Sequence, residues 1–154
     1  MKTQSQIFVG AEGTQYGNWM SAPVMKMAYG IVGFLAVILI LISVLWQNLI
    51  AIVIGTVVFL GVLTFALFLQ KCRNAFSFRK GKLMDKIQQN LVEYLDWNGN
   101  GTVLDIGCGS AALSVRVAKT FENASLVGVD YWGPMWDYSE SMCCKNAELE
   151  GVAT

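Results

Sequence analysis

The chain of 154 residues is 55% hydrophobic and 14% charged, with 11 basic and 11 acidic side chains, four cysteines, two prolines and no histidine. It is too apolar for a disordered segment and too short for more than one ordinary domain with an accessory piece, and without histidine it holds no Ser-His-Asp triad, histidine general base or histidine-ligated metal. The zero net charge hides a division, because residues 1–86 carry eight basic and two acidic groups whereas residues 87–154 carry three and nine.

Residues 1–27 read as an N-terminal segment ahead of a membrane anchor. No charged residue stands between Lys26 and Lys71, a run of 44 positions. One helix of that length would extend about 66 Å, roughly twice the hydrocarbon thickness of a bilayer, so it must break once. The natural break is Gln47-Asn48. Residues 28–70 then form a tight transmembrane helical hairpin, with spans Ala28–Trp46 and Leu49–Leu69. A signal peptide followed by one anchor fits less well, since the apolar stretch starts late and lacks a small-residue cleavage pattern. Trp19, Tyr29 and Trp46 suit interfacial anchors, and Gly30, Gly33, Gly55 and Gly61 are candidates for seating one helix on the other. The basic linker of residues 71–81 with the lysines just beyond it (Lys71, Arg73, Arg79, Lys80, Lys82 and Lys86) marks the cytoplasmic side. Lys2 and Lys26 favour the same side for the N-terminus. This predicts an integral membrane protein of two spans, with both the N-terminus and the C-terminal domain cytoplasmic. No intramembrane charge marks a transport path, and the basic run suits lipid headgroups better than nucleic acid.

Residues 82–154 change pattern. Leu83, Ile87, Leu91 and Leu95, with Met84 and Val92 beside them, predict an amphipathic helix of about four turns. It ends in Asn98-Gly99-Asn100-Gly101. Thr102–Ile106 reads as a short buried strand, Gly107-Cys108-Gly109-Ser110-Ala111-Ala112 as a tight turn, and Leu113, Val117 and Phe121 as one face of a helix. Ser125–Asp130 is a second apolar strand ending in a carboxylate. A β-α-β unit with a parallel sheet follows. Beyond it come a turn at Gly133-Pro134 and a helix from about Ser139 to Glu150. Cys72, Cys108, Cys143 and Cys144 lack zinc or redox spacing, so free thiols and no metal site are expected.

A glycine turn opening a helix lets a ligand approach the backbone, and an acid ending the next strand can accept from ribose hydroxyls. Asp130 stands 23 residues after Gly107. Gly107–Ala112 also satisfies the looser dinucleotide pattern G-x-G-x-x-A. Asp105 argues against that reading, because a carboxylate two residues before the first glycine would repel a pyrophosphate and favour a cationic ligand.

VLDIGCGSAAL followed by LVGVD resembles the first two motifs of the class I S-adenosylmethionine-dependent methyltransferases, and KNAELEGV resembles the segment after their second strand. The resemblance covers roughly residues 82–152. It implies an α/β fold, the Rossmann-like β-α-β start of a methyltransferase sheet, preceded here by the hairpin. It places Asp105, Gly107, Cys108, Gly109 and Ser110 along the S-adenosylmethionine cofactor, Asp130 on its ribose and Tyr131 beside its adenine. The family's usual third glycine falls at Ala111. The family's domain is a larger sheet, so a partial or N-terminal portion of a longer enzyme is expected. Substrate-side catalytic residues are not assigned. The expected activity is methyl transfer to an acceptor of unknown identity, with a membrane-resident acceptor favoured by the anchor. The alternatives are a nicotinamide or flavin oxidoreductase, or a non-catalytic membrane protein with a remnant nucleoside-binding fold.

Overall fold

The structure, a computed structural model, describes residues 9–152. Lys2, counted above with the basic flank, lies outside the described residues. An extended strap, residues 9–21, leads into helix α1 (Ala22–Leu41), whose last turns widen into a π-helix over Ile42–Trp46. Gln47 takes a left-handed conformation and Asn48 caps helix α2 (Leu49–Phe76), its side chain accepting from the Ala51 N–H at 3.0 Å. The chain therefore reverses at the predicted dipeptide, in two residues.

Both helices are long and apolar enough to cross a membrane. They outrun the spans read from composition: α1 starts six residues before Ala28, and α2 continues seven past Leu69. Pro23, which lacks an N–H, suits the first turn of α1. Lys71 and Arg73 are therefore helical, and the connection to the next element is only residues 77–82. Of the four glycines expected to seat the helices, only Gly55 meets the neighbour, its Cβ direction ending 3.0 Å from Leu39 Cδ1. Gly30, Gly33 and Gly61 face open space. Tyr29 donates to Gln70 at 3.2 Å, linking the two helices near their open end.

Helix α3 (Leu83–Glu93) is three turns long, one shorter than its stripe suggested. Strands β1 (Gly101–Ile106) and β2 (Ala124–Val129) pair in parallel, Gly101 opposite Ala124 through Ile106 opposite Val129, and helix α4 (Ala112–Thr120) connects them. These two strands are the whole sheet among the described residues. The strands are not buried as expected. Leu104, Ile106, Val127 and Val129 share one face by their alternation, and that face is exposed, Ile106 to 79%. Helix α5 (Glu140–Leu149) starts where predicted, Ser139 accepting from the Met142 N–H at 3.2 Å.

The core joins parts of the chain that the sequence separates. Val9 and Tyr16 of the strap pack with Ala111, Ala112 and Val115 of α4, flanked by Phe78, Cys143 and Ala147. The Glu150 carboxylate accepts from the N–H groups of Gly10 and Ala11 at 2.5 and 2.9 Å and from the Tyr16 hydroxyl at 2.8 Å, and its second oxygen pairs with Lys119. Asn146 brackets Gln15, accepting from its N–H at 2.8 Å and donating to its carbonyl at 3.0 Å. At the other end the strap grips the hairpin. Asn18 donates to the Arg73 carbonyl at 2.7 Å, Arg73 donates to the Met20 carbonyl, and the Trp19 and Phe76 rings lie 5.3 Å apart. Asp137, beyond β2, accepts from the Ala22 N–H at 2.6 Å and so satisfies one of the open donors at the start of α1. Within the N-terminal segment, residues 9–21 tie the hairpin to α4 and α5.

Candidate functional site

The turn after β1 is held by the end of β2. Gly107 and Cys108 donate to the Val129 carbonyl at 2.7 and 3.3 Å, and Gly109 donates to Asp130 Oδ2 at 2.8 Å. Asp130 Oδ1 accepts from the Trp132 N–H at 2.7 Å, and the Trp132 indole donates back to the Gly109 carbonyl at 2.9 Å. Each carboxylate oxygen has two acceptor sites, so these bonds leave Asp130 capacity for further donors. Ala111 has φ +64, the left-handed conformation that glycine adopts freely. An alanine there costs about 1 kcal/mol, which is the physical content of the glycine expected at that position.

Asp105, Gly107, Cys108, Gly109 and Ser110 line one cavity of about 340 Å³. That is within the range of small-molecule sites. Its opposite wall is α3, through Met84, Ile87, Gln88 and Leu91, and its roof is the strap from Tyr16 to Trp19 with Tyr138. The α3 stripe therefore lines a cavity, which is why Leu91 stays largely exposed while Gln88 and Val92 are buried. Asp105 is the carboxylate in this wall, accepting from the Ser114 hydroxyl at 2.5 Å. Ser110 donates to the Tyr16 carbonyl at 3.0 Å and its own carbonyl accepts from Asn146 at 2.9 Å. Asp130 stands behind the glycine turn, outside the cavity lining. Tyr131 is 90% exposed and contributes nothing to the wall.

Sequence reasoning missed Tyr16, Gly17 and Trp19, and gave Tyr138 no defined place. Gly17 has φ +61, and a Cβ there would fall 2.0 Å from Tyr138 Cε1; the same ring passes 3.4 Å from the Cβ direction of Gly109. The ring is thus clasped between two glycines, one from the strap and one from the turn. Burial, then the carboxylates of Asp137 and Asp130, raise the Tyr138 phenol above its ordinary value, against a smaller opposing effect of Arg73, so it stays a neutral donor. Cysteine-free signals for this roof were present only as the glycines and aromatics of residues 10–19.

All four cysteines are free. Cys108 is buried with its sulfur 4.0 Å from that of Cys143. Burial, reinforced by the neighbouring Cys108, pushes the Cys143 thiol up to about 12, and burial likewise raises Cys108. A thiol at that value is thiolate to only about one part in ten thousand at pH 8. Iodoacetamide at pH 8 should therefore modify exposed Cys144 at least roughly tenfold faster than Cys108 or Cys143. Peptide mapping by mass reads this; equal rates would mean the strap and α5 do not cover the pair.

Compared with known proteins, the chain matches no family model, no curated protein and no solved structure.

Proposed function

We propose that the protein is a membrane-anchored methyltransferase, or part of one, whose C-terminal region binds S-adenosylmethionine at the Gly107–Ser110 turn. The observation that carries this reading is the cavity of about 340 Å³ whose floor is that turn and whose wall holds the Asp105 carboxylate. A ligand with sulfonium and ammonium groups suits an acidic wall; a pyrophosphate does not. Gly107, at φ +80 with open space in its Cβ direction, presents bare backbone to a ligand there. Asp105 would attract the cationic end; Asp130, behind the turn and outside the cavity lining, would meet the ribose hydroxyls where the ligand extends past the Gly109 edge of the turn.

The cofactor supplies a methyl group already activated on sulfur, so the protein's task is to position and to exclude water. Tyr16, Trp19 and Tyr138 in the roof serve that exclusion. No histidine is required for it. The hairpin holds the site beside a bilayer, with the basic flank and both the strap and the C-terminal region on the cytoplasmic side. A membrane-resident acceptor is the substrate class this arrangement favours.

The test is calorimetric titration of the full chain in detergent micelles with S-adenosylmethionine, S-adenosylhomocysteine and NAD. Binding of the first two and not the third is expected. Asp130→Ala should weaken it by about 1–3 kcal/mol, roughly 5- to 150-fold. NAD binding instead would replace this reading with an oxidoreductase, and an affinity unchanged in Asp130→Ala would remove Asp130 from the site.

A further inference from the structure

A second and larger cavity, about 640 Å³, lies on the other side of Tyr16, between the strap and the start of α3. Its lining includes Ser77, Phe78, Arg79, Lys82, Asp85 and Arg116. Among the described residues three cations thus face one carboxylate, and that carboxylate is already paired: Asp85 holds Arg116, which is 3% exposed. The surplus charge belongs to Arg79 and Lys82, both exposed. Arg79 uses one terminal nitrogen on the Thr14 carbonyl at 3.3 Å, which leaves most of the five guanidinium N–H donors. Lys82, left-handed at φ 56, begins α3 with no side chain capping the first turn, so the positive end of that helix adds to the field.

Position selects the ligand. Ser77 is the first residue after α2, and the Trp19–Phe76 pair sits at the same level, where aromatic rings meet lipid headgroups. Phe78 and Val9 give the cavity an apolar wall beside its cations. A free phosphate would use only the cations, whereas a phospholipid would use both.

We propose that this cavity binds the phosphate headgroup of an anionic membrane lipid, with Arg79 and Lys82 as its ligands, so that a lipid fastens the strap and α3 to the membrane surface. The inference rests on the reading of α1 and α2 as membrane spans but is independent of the methyltransferase reading.

The experiment is native mass spectrometry of the full chain released from nanodiscs of mixed phosphatidylcholine and phosphatidylglycerol. Wild type should retain phosphatidylglycerol preferentially. Arg79→Gln/Lys82→Gln should lower the retained fraction roughly tenfold, and Lys71→Gln/Lys80→Gln, which removes equal charge outside the cavity, should leave it unchanged. Equal loss in both double variants would mean diffuse surface attraction and overturn the site. Displacement of the lipid by inorganic phosphate, with phosphate retained in its place, would identify a free anion and overturn the lipid assignment. Failure of the chain to enter nanodiscs, or its release by alkaline carbonate, would overturn the membrane reading itself.

Discussion

Glu150→Ala is expected to destabilise the attachment of the strap by about 3–5 kcal/mol, the cost of removing one partner from a buried charged network. The carboxylate satisfies two backbone N–H groups, the Tyr16 hydroxyl and the Lys119 ammonium, and the residue is 7% exposed. Truncation removes the acceptor of the two N–H groups and of the Tyr16 hydroxyl, and one partner of Lys119. Glu150→Gln keeps an acceptor for the strap but loses the charge opposite Lys119, and should cost about 1–2 kcal/mol. Chymotrypsin cleavage after Tyr16, buried in the native chain, reads the opening. Equal cleavage rates in wild type and Glu150→Ala would show that the strap is held by something else.

The same carboxylate sets a pH dependence. Burial by itself would raise Glu150, but hydrogen bonds from Lys119, Ala11, Tyr16 and Gly10 outweigh it and hold the group below its ordinary value. Burial and the bond to Glu150 raise the Tyr16 phenol in turn, so it remains the donor. A carboxylate lower in the folded than in the unfolded state stabilises fully above the unfolded value near 4.3, and that contribution is lost as pH falls through the folded value. Acidification below about pH 4 should therefore speed pepsin cleavage in the strap, around Tyr16, in wild type and much less in Glu150→Gln.

Gly17→Ala should cost about 2–4 kcal/mol, combining a left-handed alanine with overpacking against an aromatic ring. The new Cβ would lie 2.0 and 2.8 Å from Tyr138 Cε1 and Cδ1, so ring and strap cannot both stay in place. Tyr138→Ala removes the obstacle while opening a hole of its own. The double variant should be more stable than the sum of the singles by about 1–3 kcal/mol. Strict additivity in thermal melts would mean that the ring does not lie over Gly17. Because both residues roof the smaller cavity, Gly17→Ala should also weaken any ligand bound there.

The features legible in the sequence were those with short-range causes. The 44-residue charge gap and the Gln47-Asn48 break located the hairpin, since a bilayer constrains consecutive residues. Apolar runs broken by Gly107 and Gly109 located the β-α-β unit, whose parallel pairing the structure shows. Of the seven residues named along the cofactor, the five from Asp105 to Ser110 line one cavity, whereas Asp130 and Tyr131 do not. What remained hidden depends on distant partners. Nothing around Gln15 signals that Asn146 will pair with its backbone, and nothing around Asp137 signals that it will cap α1 from 115 residues away. Helix lengths were underestimated because hydropathy measures where the apolar run ends, not where the helix does. Even the apolar stripe of α3 misled by one step, since it faces a cavity and not a closed core.

The strap imposes an order on biosynthesis. Gly10 and Glu150 are 140 residues apart, so at about 5–20 residues per second roughly 7–28 s separate their emergence from the ribosome. The paired helices α1 and α2 will have formed long before α5 exists, and Tyr16 waits meanwhile without its carboxylate. Pairing of the helices shortens that wait in entropic terms: once α1 and α2 stand side by side, Asn18 is held at Arg73, and the loop left to close is about three fifths as long. Each halving of a loop saves about 0.6 kcal/mol of closure entropy. The helix pair thus acts as a splint for the strap, and the later residues of α5 lock it.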